Sequence, residues 1–240
     1  MVTKNQIKLV VSLQQKKYRT KHGLFVVEGK KVVNELLESG FKPFKLFVDT
    51  VQEKNDFSDA ELVSTSELKQ MSSLSNANGI LGVFRIFDIA KIENTDWMVA
   101  LDVVRDPGNL GTIIRLCDWF GINQLVCSLD TVDCYNPKVL QATMGSIARV
   151  NIVYTDLEEF LTNADTPVYG AFMDGDVVYD KKLPKSGILV MGNEANGISA
   201  EINSKIKNRI AIPQFGSATT ESLNVATATG ILLNEIRRGN

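Results

Sequence analysis

In the first ninety positions, short apolar runs alternate with longer segments that have a helical pattern. Strands are predicted by the runs LFVVEG, KLFVD and GILGVFRIF, at 24–29, 45–49 and 79–87. Three helices are predicted in this part of the chain. The segment 4–17 is polar and basic, 30–40 has apolar residues at helical spacing, and 64–74 has the pattern of a capped helix. The segment 88–96 is polar and aperiodic, and we place a domain boundary there. The pattern therefore predicts a small α/β domain over residues 1–92.

From Trp97 onward the apolar runs are continuous instead of alternating with polar residues. Five such runs are followed by turns, at 97–104, 124–128, 167–172, 187–192 and 208–213. Strands that are apolar throughout are typical of a parallel sheet covered by helices on both faces. We therefore predict a second α/β domain with a parallel sheet over residues 97–240. Ligands bind beyond the carboxyl ends of the strands in such sheets, so chemistry is expected in the loops that follow them.

The loop after the first of these strands contains the turn-forming sequence DPGNLG at 106–111. A helix is predicted from there to about Phe120, and its buried stripe consists of Ile113, Leu116, Cys117 and Phe120. The local pattern leaves two interpretations of Asn109 open, a helix cap or a functional residue. Arg115 lies off the stripe. Its local pattern favours a surface cation, although a helix N-terminus is also a natural site for phosphate.

Two further loops carry polar residues after predicted strands. In GNEANGIS at 192–199, turn formers surround the carboxylate of Glu194, which either serves a ligand site or favours the N-terminus of the next helix. In the segment 212–238, Ser222 is predicted to cap a long helix that begins at about Leu223. Asn224 is unexpected there, because asparagine is a mediocre helix former. It indicates either a hydrogen-bonding role or an exposed first-turn position where the cost is small.

Composition excludes several classes of enzyme. The chain has 240 residues and a single histidine, His22, so it cannot build a multi-histidine metal site, and no two cysteines have the CxxC spacing of a zinc site. The sequence contains neither the phosphate-binding loop of P-loop NTPases nor the GxGxxG fingerprint of dinucleotide enzymes. We therefore expect a reaction that runs without histidine and without a structural metal.

Hydropathy and cysteine usage bear on location. No apolar stretch approaches the ~18 residues of a membrane span, and the N-terminus lacks the apolar core of a secretory signal. The three cysteines are loosely spaced, which favours reduced thiols over a disulfide scaffold. We expect a cytoplasmic protein that does not associate with membranes.

Basic residues are concentrated at the N-terminus. The whole chain has a net charge of −2, yet residues 1–31 contain eight basic residues and one acidic residue, a charge of +7, and the remainder carries −9. Such asymmetry indicates either a contact with a polyanion or a solvated basic helix face. Charge alone leaves both interpretations open.

Three motifs follow one another in the second domain: DPGNLGTIIR at 106–115, GNEANG at 192–197, and IP followed by SLNVATA within 212–228. Together they resemble the three ordered motifs of the SpoU (TrmH-type) RNA ribose 2′-O-methyltransferases, which belong to the SPOUT superfamily. The resemblance extends to residues 136–150. It also includes FVVEGKKVVNELLESG at 25–40, which is similar to the ribosomal-protein-like substrate-binding domain of that family. Nearly the whole chain is covered.

The resemblance implies a fold, a cofactor and an assembly. It implies a parallel sheet with a deep trefoil knot in the domain 97–240, S-adenosylmethionine as cofactor, and a homodimer with the cofactor pocket close to its interface. Carried over by motif, the implied catalytic residues are Asn109, Arg115, Glu194, Ser222 and Asn224. The implied cofactor-binding positions, which act largely through the backbone, are Ala171, Gly192, Ile212, Leu223 and Asn224.

The reaction implied by the resemblance is displacement of a methyl group from a sulfonium by a ribose 2′-hydroxyl. Because a guanidinium does not give up its proton in proteins, we expect Arg115 to bind the target phosphate and stabilise the developing alkoxide, and not to act as the base. Phosphate, water and Glu194 are the candidate proton acceptors. The basic N-terminus then becomes a predicted RNA contact. The residues expected to bind RNA are Lys16, Lys17, Arg19, Lys30 and Arg115.

Ribosomal RNA is the expected substrate, and transfer RNA is the alternative. A different class of function is an RNA-binding protein that keeps the fold without turnover, although the intact motif residues argue against it. A metabolic α/β enzyme acting on a small anion is a third interpretation, but it leaves the three ordered motifs unexplained.

Overall fold

The computed structural model describes residues 2–75, 77, 79–87, 91–216 and 222–238. Two segments of the sequence analysis are therefore described only in part. Residues 88–90 of the predicted domain boundary and residues 217–221 of the third motif region lie outside the described residues. The chain divides into two compact units. The N-terminal unit consists of Met1–Asp88 and Asp133–Ala148, and the C-terminal unit consists of Ile89–Val132 and Arg149–Asn240.

Helices and strands are numbered in chain order. The helices are α1 Lys4–Ser12, α2 Lys16–His22, α3 Lys30–Glu38, α4 Val51–Asp56, α5 Thr65–Met71, α6 Pro107–Trp119, α7 Pro137–Thr143, α8 Leu157–Thr162, α9 Ala200–Asn203 and α10 Val225–Arg238. The strands are β1 Leu24–Glu28, β2 Pro43–Val48, β3 Glu61–Leu62, β4 Ile80–Arg85, β5 Trp97–Leu101, β6 Gln124–Ser128, β7 Asn151–Thr155, β8 Val168–Val177, β9 Gly187–Met191 and β10 Asn208–Ala211. None of the described helices is both long and apolar enough to cross a membrane.

A four-stranded sheet forms the centre of the N-terminal unit, in the order β1-β4-β2-β3. β4 lies antiparallel to β1 and β2, and β3 adds a short parallel pairing to β2. β1 and β4 are buried along most of their length, α3 lies against both, and α1 packs against α5. The three strands predicted for this unit are present, as are the helices predicted over 30–40 and 64–74. β3 and α4 are additional.

The single helix predicted over 4–17 is wrong, because the chain turns at residues 13–15 between α1 and α2. The guanidinium of Arg19 donates to the carbonyl oxygens of Leu13 and Gln14, both at 2.9 Å. A helix end leaves its last carbonyl groups without helical partners. Arg19 satisfies two such groups, and it thereby stabilises the turn that separates the two helices.

A segment from the middle of the second predicted domain belongs to the N-terminal unit. Within residues 133–148, α7 packs against β1, and the ring centre of Tyr135 lies 4.7 Å from that of Phe25. Gly145 approaches α3 so closely that a Cβ atom there would lie 2.5 Å from Cγ of Glu35. The sequence prediction places this segment in the domain 97–240. An amphipathic pattern shows which helix face is buried but not which sheet it covers, and this explains the difference.

The C-terminal unit contains a six-stranded sheet in the order β10-β8-β9-β5-β6-β7. All neighbouring strands are parallel, so the predicted parallel α/β architecture is confirmed. The central strands β5 and β9 are completely buried, as their continuous apolar runs predict. The sequence analysis missed β7, an edge strand whose residues are all half-buried and therefore lack a clear apolar run. The trefoil knot stays a prediction.

Parallel strands direct the predicted site residues to one edge of this sheet. The loops after β5, β9 and β10 contain the three motifs, and all of them leave the carboxyl ends of parallel strands. α6 and α10, which follow two of these loops, pack against each other. The carboxyl edge of the sheet is therefore where the candidate site lies, as expected for this architecture.

Candidate active site

The side chain of Asn109 connects the three motif loops. Its Nδ2 donates to Oε1 of Glu194 at 3.0 Å, and its Oδ1 accepts a hydrogen bond from Nδ2 of Asn224 at 2.9 Å. The three residues come from α6, from the loop after β9 and from the start of α10. The structure thus brings together three of the five residues predicted to be catalytic.

The start of α6 leaves the side chain of Asn109 available for these contacts. Asp106 is the N-cap, and its carboxylate accepts a hydrogen bond from the backbone N–H of Asn109 at 2.8 Å. Pro107 occupies the first helical position, where a missing N–H costs nothing. Of the two interpretations left open by the sequence, the helix cap is therefore wrong, because Asn109 lies inside the first turn.

Glu194 is held as a hydrogen-bond acceptor. Its oxygens lie 3.4 and 3.5 Å from the backbone nitrogens of Asp106 and Arg105, and Nδ2 of Asn193 approaches at 3.3 Å. Partial burial raises the pKa of Glu194, but hydrogen bonds from Asn109 and from the backbone outweigh this effect and hold the pKa below its ordinary value. The carboxylate is therefore ionised at neutral pH, and it is a better anchor for these loops than a proton acceptor.

Asn224, and not Ser222, caps α10. Its Oδ1 accepts hydrogen bonds from the backbone N–H groups of Ala226 and Thr227 at 3.0 and 3.2 Å, and the helix begins at the residue after it. The predicted cap at Ser222 is wrong because the helix starts two residues later than the sequence pattern indicates. Asparagine is a favourable N-cap although it is a mediocre interior residue, which explains its occurrence here.

A cavity of about 770 Å³ opens at the carboxyl edge of the sheet. Its walls come from the middle of β8, the end of β9, β10, the loops that follow β9 and β10, and α10. Four of the five residues predicted to hold the cofactor line it, namely Ala171, Gly192, Ile212 and Leu223. Glu194 and Ser222 also line this cavity, whereas Asn109 and Asn224 line a groove of about 520 Å³ between α6 and α10. The cofactor-binding roles themselves stay predictions.

Gly192 is required by the fold of its own loop. A Cβ atom at this position would lie 2.2 Å from the carbonyl carbon of Gly197 and 2.3 Å from the backbone nitrogen of Ile198. Asn193 and Gly197 are joined by two backbone hydrogen bonds of 2.8 and 2.9 Å, so these atoms are fixed. Any larger residue at position 192 would displace the loop that carries Glu194.

Arg115 stands apart from this network. Its side chain is exposed on α6, and it makes no hydrogen bond or ion pair with the residues that the structure describes. Among the described residues, none therefore supports Arg115 in its predicted catalytic role, and none occupies its guanidinium. The group is available for an anionic ligand.

The basic residues of α2 divide into two groups. Lys16 and Lys17 are exposed, but Arg19 on the same helix is only 3% exposed. Its Nε donates to Oδ2 of Asp133 at 3.1 Å, and its Nη2 forms an ion pair with the same oxygen. The expectation that Arg19 contacts RNA is therefore wrong, because its guanidinium is buried and paired within the N-terminal unit.

Lys30 is accessible but not unpaired. Its Nζ lies 2.6 Å from Oδ2 of Asp56 and 3.4 Å from Oε2 of Glu53, and the hydrogen bond to Asp56 raises the pKa of the ammonium group. Two carboxylates therefore compete with an RNA phosphate for this cation. Lys16 and Lys17 are the better-placed candidates for an RNA contact.

The described residues contain no group of acidic, histidine and cysteine side chains that could hold a metal ion. The thiol of Cys117 is fully buried in α6, and burial raises its pKa to about 12. It therefore remains protonated at neutral pH and is unsuited to act as a nucleophile.

Sequence reasoning missed the contribution of Asn193. Its Nδ2 donates to the carbonyl oxygen of Val103 at 2.7 Å, and its Oδ1 accepts from the backbone N–H groups of Ala195 and Asn196 at 3.0 and 3.2 Å. The local signal was present, since asparagine readily forms such turns with the residues that follow it. The bond to Val103 has no sequence signal, because 90 positions separate the two residues.

Two family models together match most of the chain. The model described as the SpoU rRNA Methylase family matches residues 96–234, and the model described as an MRM3-like substrate binding domain matches residues 4–82. The 23S rRNA (guanosine(2553)-2′-O)-methyltransferase RlmP of Bacillus subtilis is 31% identical over 244 residues. That alignment covers 98% of this chain and 97% of RlmP.

Solved structures agree with these matches. A TrmH-family protein from Porphyromonas gingivalis superimposes with a TM-score of 0.91 at 37% identity, with both chains covered completely. An AdoMet-bound rRNA methyltransferase from Sinorhizobium meliloti superimposes with a TM-score of 0.85 at 32% identity, covering 99% of this chain and 96% of the other. The motifs, the parallel sheet and these similarities lead to one conclusion: the chain belongs to the SpoU rRNA methylase family.

Proposed function

We propose that this protein transfers a methyl group from S-adenosylmethionine to the 2′-hydroxyl of a ribose in ribosomal RNA. The observation that carries the proposal is the cavity at the carboxyl edge of the parallel sheet, with Glu194 in its wall and bonded to Asn109. RlmP is named as a methyltransferase of 23S rRNA, and the relative from Sinorhizobium meliloti is an rRNA methyltransferase with AdoMet bound. Both are similar to this chain over nearly its full length, which supports the same reaction here.

The cavity fits S-adenosylmethionine in size and in chemistry. Its volume of about 770 Å³ lies within the ~300–1,000 Å³ typical of small-molecule sites. Ile212 and Leu223 offer apolar surface for a base, while Ala171 and Gly192 also line the cavity, where their backbone groups are candidates for hydrogen bonds to the ligand. When bound, the cofactor supplies a methyl group on a sulfonium, which is a good leaving group.

The network around Asn109 fixes the loops that surround the reacting groups. A displacement of this kind depends mainly on holding the hydroxyl and the methyl group in line, so rigid positioning is the main task of the protein. Asn109, Glu194 and Asn224 supply it by joining α6, the loop after β9 and α10. Ser222 lies in the cavity wall, where its hydroxyl can donate or accept a hydrogen bond.

We assign Arg115 to the phosphate beside the target ribose. A guanidinium can bind phosphate with two parallel hydrogen bonds and stabilise negative charge that develops on the attacking oxygen. Its exposure on α6 and its lack of described partners support this role. The proton of the hydroxyl then passes to phosphate or water, because the lowered pKa of Glu194 makes that carboxylate a weak base.

The first experiment is transfer of labelled methyl from S-adenosylmethionine to unmodified ribosomal RNA and, separately, to transfer RNA. We expect incorporation into ribosomal RNA that is lost in Arg115→Ala, with a fall of roughly 10²-fold or more. Incorporation into transfer RNA alone would show that the substrate is transfer RNA and not ribosomal RNA. Binding of the cofactor without transfer to either RNA, or to ribosomal particles, would favour a protein that only binds RNA.

The Arg115→Lys variant tests the need for a guanidinium. Lysine keeps the positive charge but cannot form the paired hydrogen bonds of arginine with a phosphate. We expect a reduced single-turnover rate with unchanged affinity for S-adenosylmethionine. A near-normal rate would rule out a specific role for the guanidinium.

We propose that α2 of the N-terminal unit contributes to the RNA contact through Lys16 and Lys17. Both side chains are exposed, and RNA affinity depends on cations placed near phosphates. The match to the MRM3-like substrate binding domain over residues 4–82 supports an RNA-contacting role for this unit.

We also propose a homodimer formed through the face of α6 and α10. Leu116, Gly230 and Ile231 line the groove between these helices, and Trp119 of α6 is 84% exposed. A large exposed aromatic side chain next to a groove between two packed helices is typical of an interface. Trp119→Glu should yield a monomer in analytical ultracentrifugation, and an unchanged dimer would contradict the assignment.

We place this activity in the cytoplasm, where thiols stay reduced. The buried thiols of Cys117, Cys127 and Cys134 are compatible with that compartment.

A further inference from the structure

The backbone at Val103 has an unusual conformation. Its φ is +57°, in the left-handed region that favours glycine, although valine is β-branched. Such conformations persist only where the surrounding structure holds them in place, and they concentrate at functional sites. Val103 lies two residues after β5, in the loop that leads into the first motif at Asp106.

Two hydrogen bonds hold this turn from opposite sides. The backbone N–H of Val103 donates to Oγ of Ser128 at 2.9 Å, and its carbonyl oxygen accepts from Nδ2 of Asn193 at 2.7 Å. Ser128 is buried and bonded to Thr131 at 3.0 Å, so it provides a fixed support within the sheet. Asn193 belongs to the loop that carries Glu194, so its bond joins the first motif loop to the second.

The turn at Val103 determines where α6 begins. Two and three residues later, the backbone N–H groups of Arg105 and Asp106 point to Glu194, and Asp106 caps the helix. α6 then presents Asn109 to the site and carries Arg115. A change of φ at Val103 would therefore move the start of the helix that holds both residues.

We propose that Asn193 is a positioning residue that holds Val103 in its strained conformation and thereby sets the position of α6 for methyl transfer. The effect that we expect on the rate of methyl transfer rests on the proposed function. The side chain must donate from Nδ2 to Val103 and accept at Oδ1 from Ala195 and Asn196, so only an amide of this length meets both demands. An aspartate would lose the donor and place a second carboxylate beside Glu194.

The test is rescue of Asn193→Ala by Val103→Gly. Glycine adopts a φ of +57° without strain, so the turn no longer depends on the bond from Asn193. We expect Asn193→Ala to lower the single-turnover rate by roughly 10²-fold, the scale of a small misplacement of reacting groups. The double variant should recover about tenfold of this loss. Because Asn193 also lines the cavity, affinity for S-adenosylmethionine is measured alongside and should change by less than about threefold.

Val103→Ala is the matched control. It removes the same side chain but keeps a Cβ atom, so it leaves most of the left-handed penalty in place and should not rescue. Equal rescue by alanine and glycine, or no rescue by glycine, would overturn the proposal. It would indicate that Asn193 acts on the reactants directly or only through its own loop.

Thermal denaturation of the wild type, Asn193→Ala, Val103→Gly and the double variant separates this inference from the proposed function. Asn193→Ala should lower the melting temperature more in the Val103→Gly background than in the wild type. With valine, loss of the bond lets the strained turn relax and recovers part of the strain, whereas glycine has no strain to recover. Equal losses in both backgrounds would overturn the positioning role even if the wild type is active. If the wild type is inactive but the melting temperatures show that the two substitutions are coupled, the proposed function is contradicted and the positioning role is supported.

Discussion

Asn109 is constrained on both sides of its amide, because one atom donates to Glu194 and the other accepts from Asn224. Asn109→Asp keeps the shape but removes the donor and places two carboxylates about 3 Å apart, which is strongly unfavourable. We expect the single-turnover rate to fall by roughly 10²-fold, in line with loss of a hydrogen bond to a charged group plus repulsion.

A double variant provides the control for this change. In Asn109→Asp/Glu194→Gln, a neutral amide donates to a carboxylate, so the bond between the two positions is restored with its polarity reversed. The double variant should be faster than Asn109→Asp alone. If it is slower, the hydrogen bond between these positions is not the reason for the loss.

The acid stability of the site follows from Glu194. Its pKa is held below the ordinary value of about 4.5 in the folded protein, so ionised Glu194 stabilises the fold at any pH above that value. This contribution is lost as the pH falls from about 4.5 through the lower folded pKa. The wild type should therefore melt at a higher temperature than Glu194→Gln at pH 6, and the gap should close towards pH 3. A gap that widens on acidification would contradict the assigned direction of the shift.

Single residues differ in how far the sequence specifies their roles. Glu194 and Asn224 come from separate motifs, and both bond to Asn109, because loops after parallel strands meet at one edge. The sequence left Asn109 open as a possible cap of α6, whereas the structure places the cap at Asp106, and Asp106–Pro107 is itself a helix-start signal. The strain at Val103 has no local signature, because it depends on a side chain that folding brings from 90 residues away.

At the level of elements, α2 has two faces with different tasks. Arg19→Met would leave Asp133 without its partner, and breaking one side of a buried pair typically costs about 3–5 kcal/mol. We expect a clear loss of stability in urea denaturation. Lys16→Gln/Lys17→Gln should leave stability unchanged and weaken RNA binding. The salt dependence of that binding should fall by about one unit for each phosphate that a lysine no longer neutralises.

The opposite result for these variants would show that the buried and exposed faces of α2 do not have these separate tasks. If Arg19→Met, measured where it is folded, weakened RNA binding as much as the lysine pair, the buried guanidinium would have a role in recognition after all. Affinity for S-adenosylmethionine is the shared control, and it should be unchanged in both.

Two glycines in the loop after β9 are required for different reasons. A Cβ atom at Gly192 would collide with fixed backbone at 2.2 Å, whereas at Gly197 it would meet nothing within 4 Å and only the φ of +68° is unfavourable. Gly192→Ala should therefore abolish cofactor binding and lower the melting temperature. Gly197→Ala should cost only about 1–2 kcal/mol, and Gly197→Asn less, as isothermal titration and denaturation would measure. Equal effects of the two alanine variants would contradict this distinction.

Strands were easier to predict than helices in this chain. β5, β6 and β9 appear as continuous apolar runs because both faces of each strand are buried. The prediction failed where burial is partial, as in β7, and where the chain turns within a segment predicted as one helix, as at residues 13–15 between α1 and α2.

The whole molecule is organised differently from the sequence order of its domains. The N-terminal unit includes residues 133–148, which supply α7 against β1 and the partner of Arg19. A fragment of residues 1–92 should therefore be loosely packed and bind a hydrophobic dye, and a peptide of residues 133–148 should restore its packing. A fragment that folds cooperatively without the peptide would show that the segment is dispensable.

Nothing in the sequence of 133–148 indicated this arrangement. Val139 and Leu140 form an apolar face that would suit either sheet, and the choice is made by long-range partners such as Phe25 for Tyr135 and Glu35 for Gly145. Architecture within each unit was predictable, while the assignment of this segment required the structure.

The discontinuous N-terminal unit also determines the order in which the protein can mature on the ribosome. When residue 88 has been synthesised, β1 is present but α7 is not, and a further 60 residues must follow before Ala148 completes the unit. At about 5–20 residues per second this interval lasts several seconds. During that time β5, α6 and β6 are synthesised and can begin to fold, while the part of β1 that α7 will cover is still exposed. Nascent chains stalled near residue 100 should therefore be bound by chaperones more strongly than chains stalled well beyond residue 148.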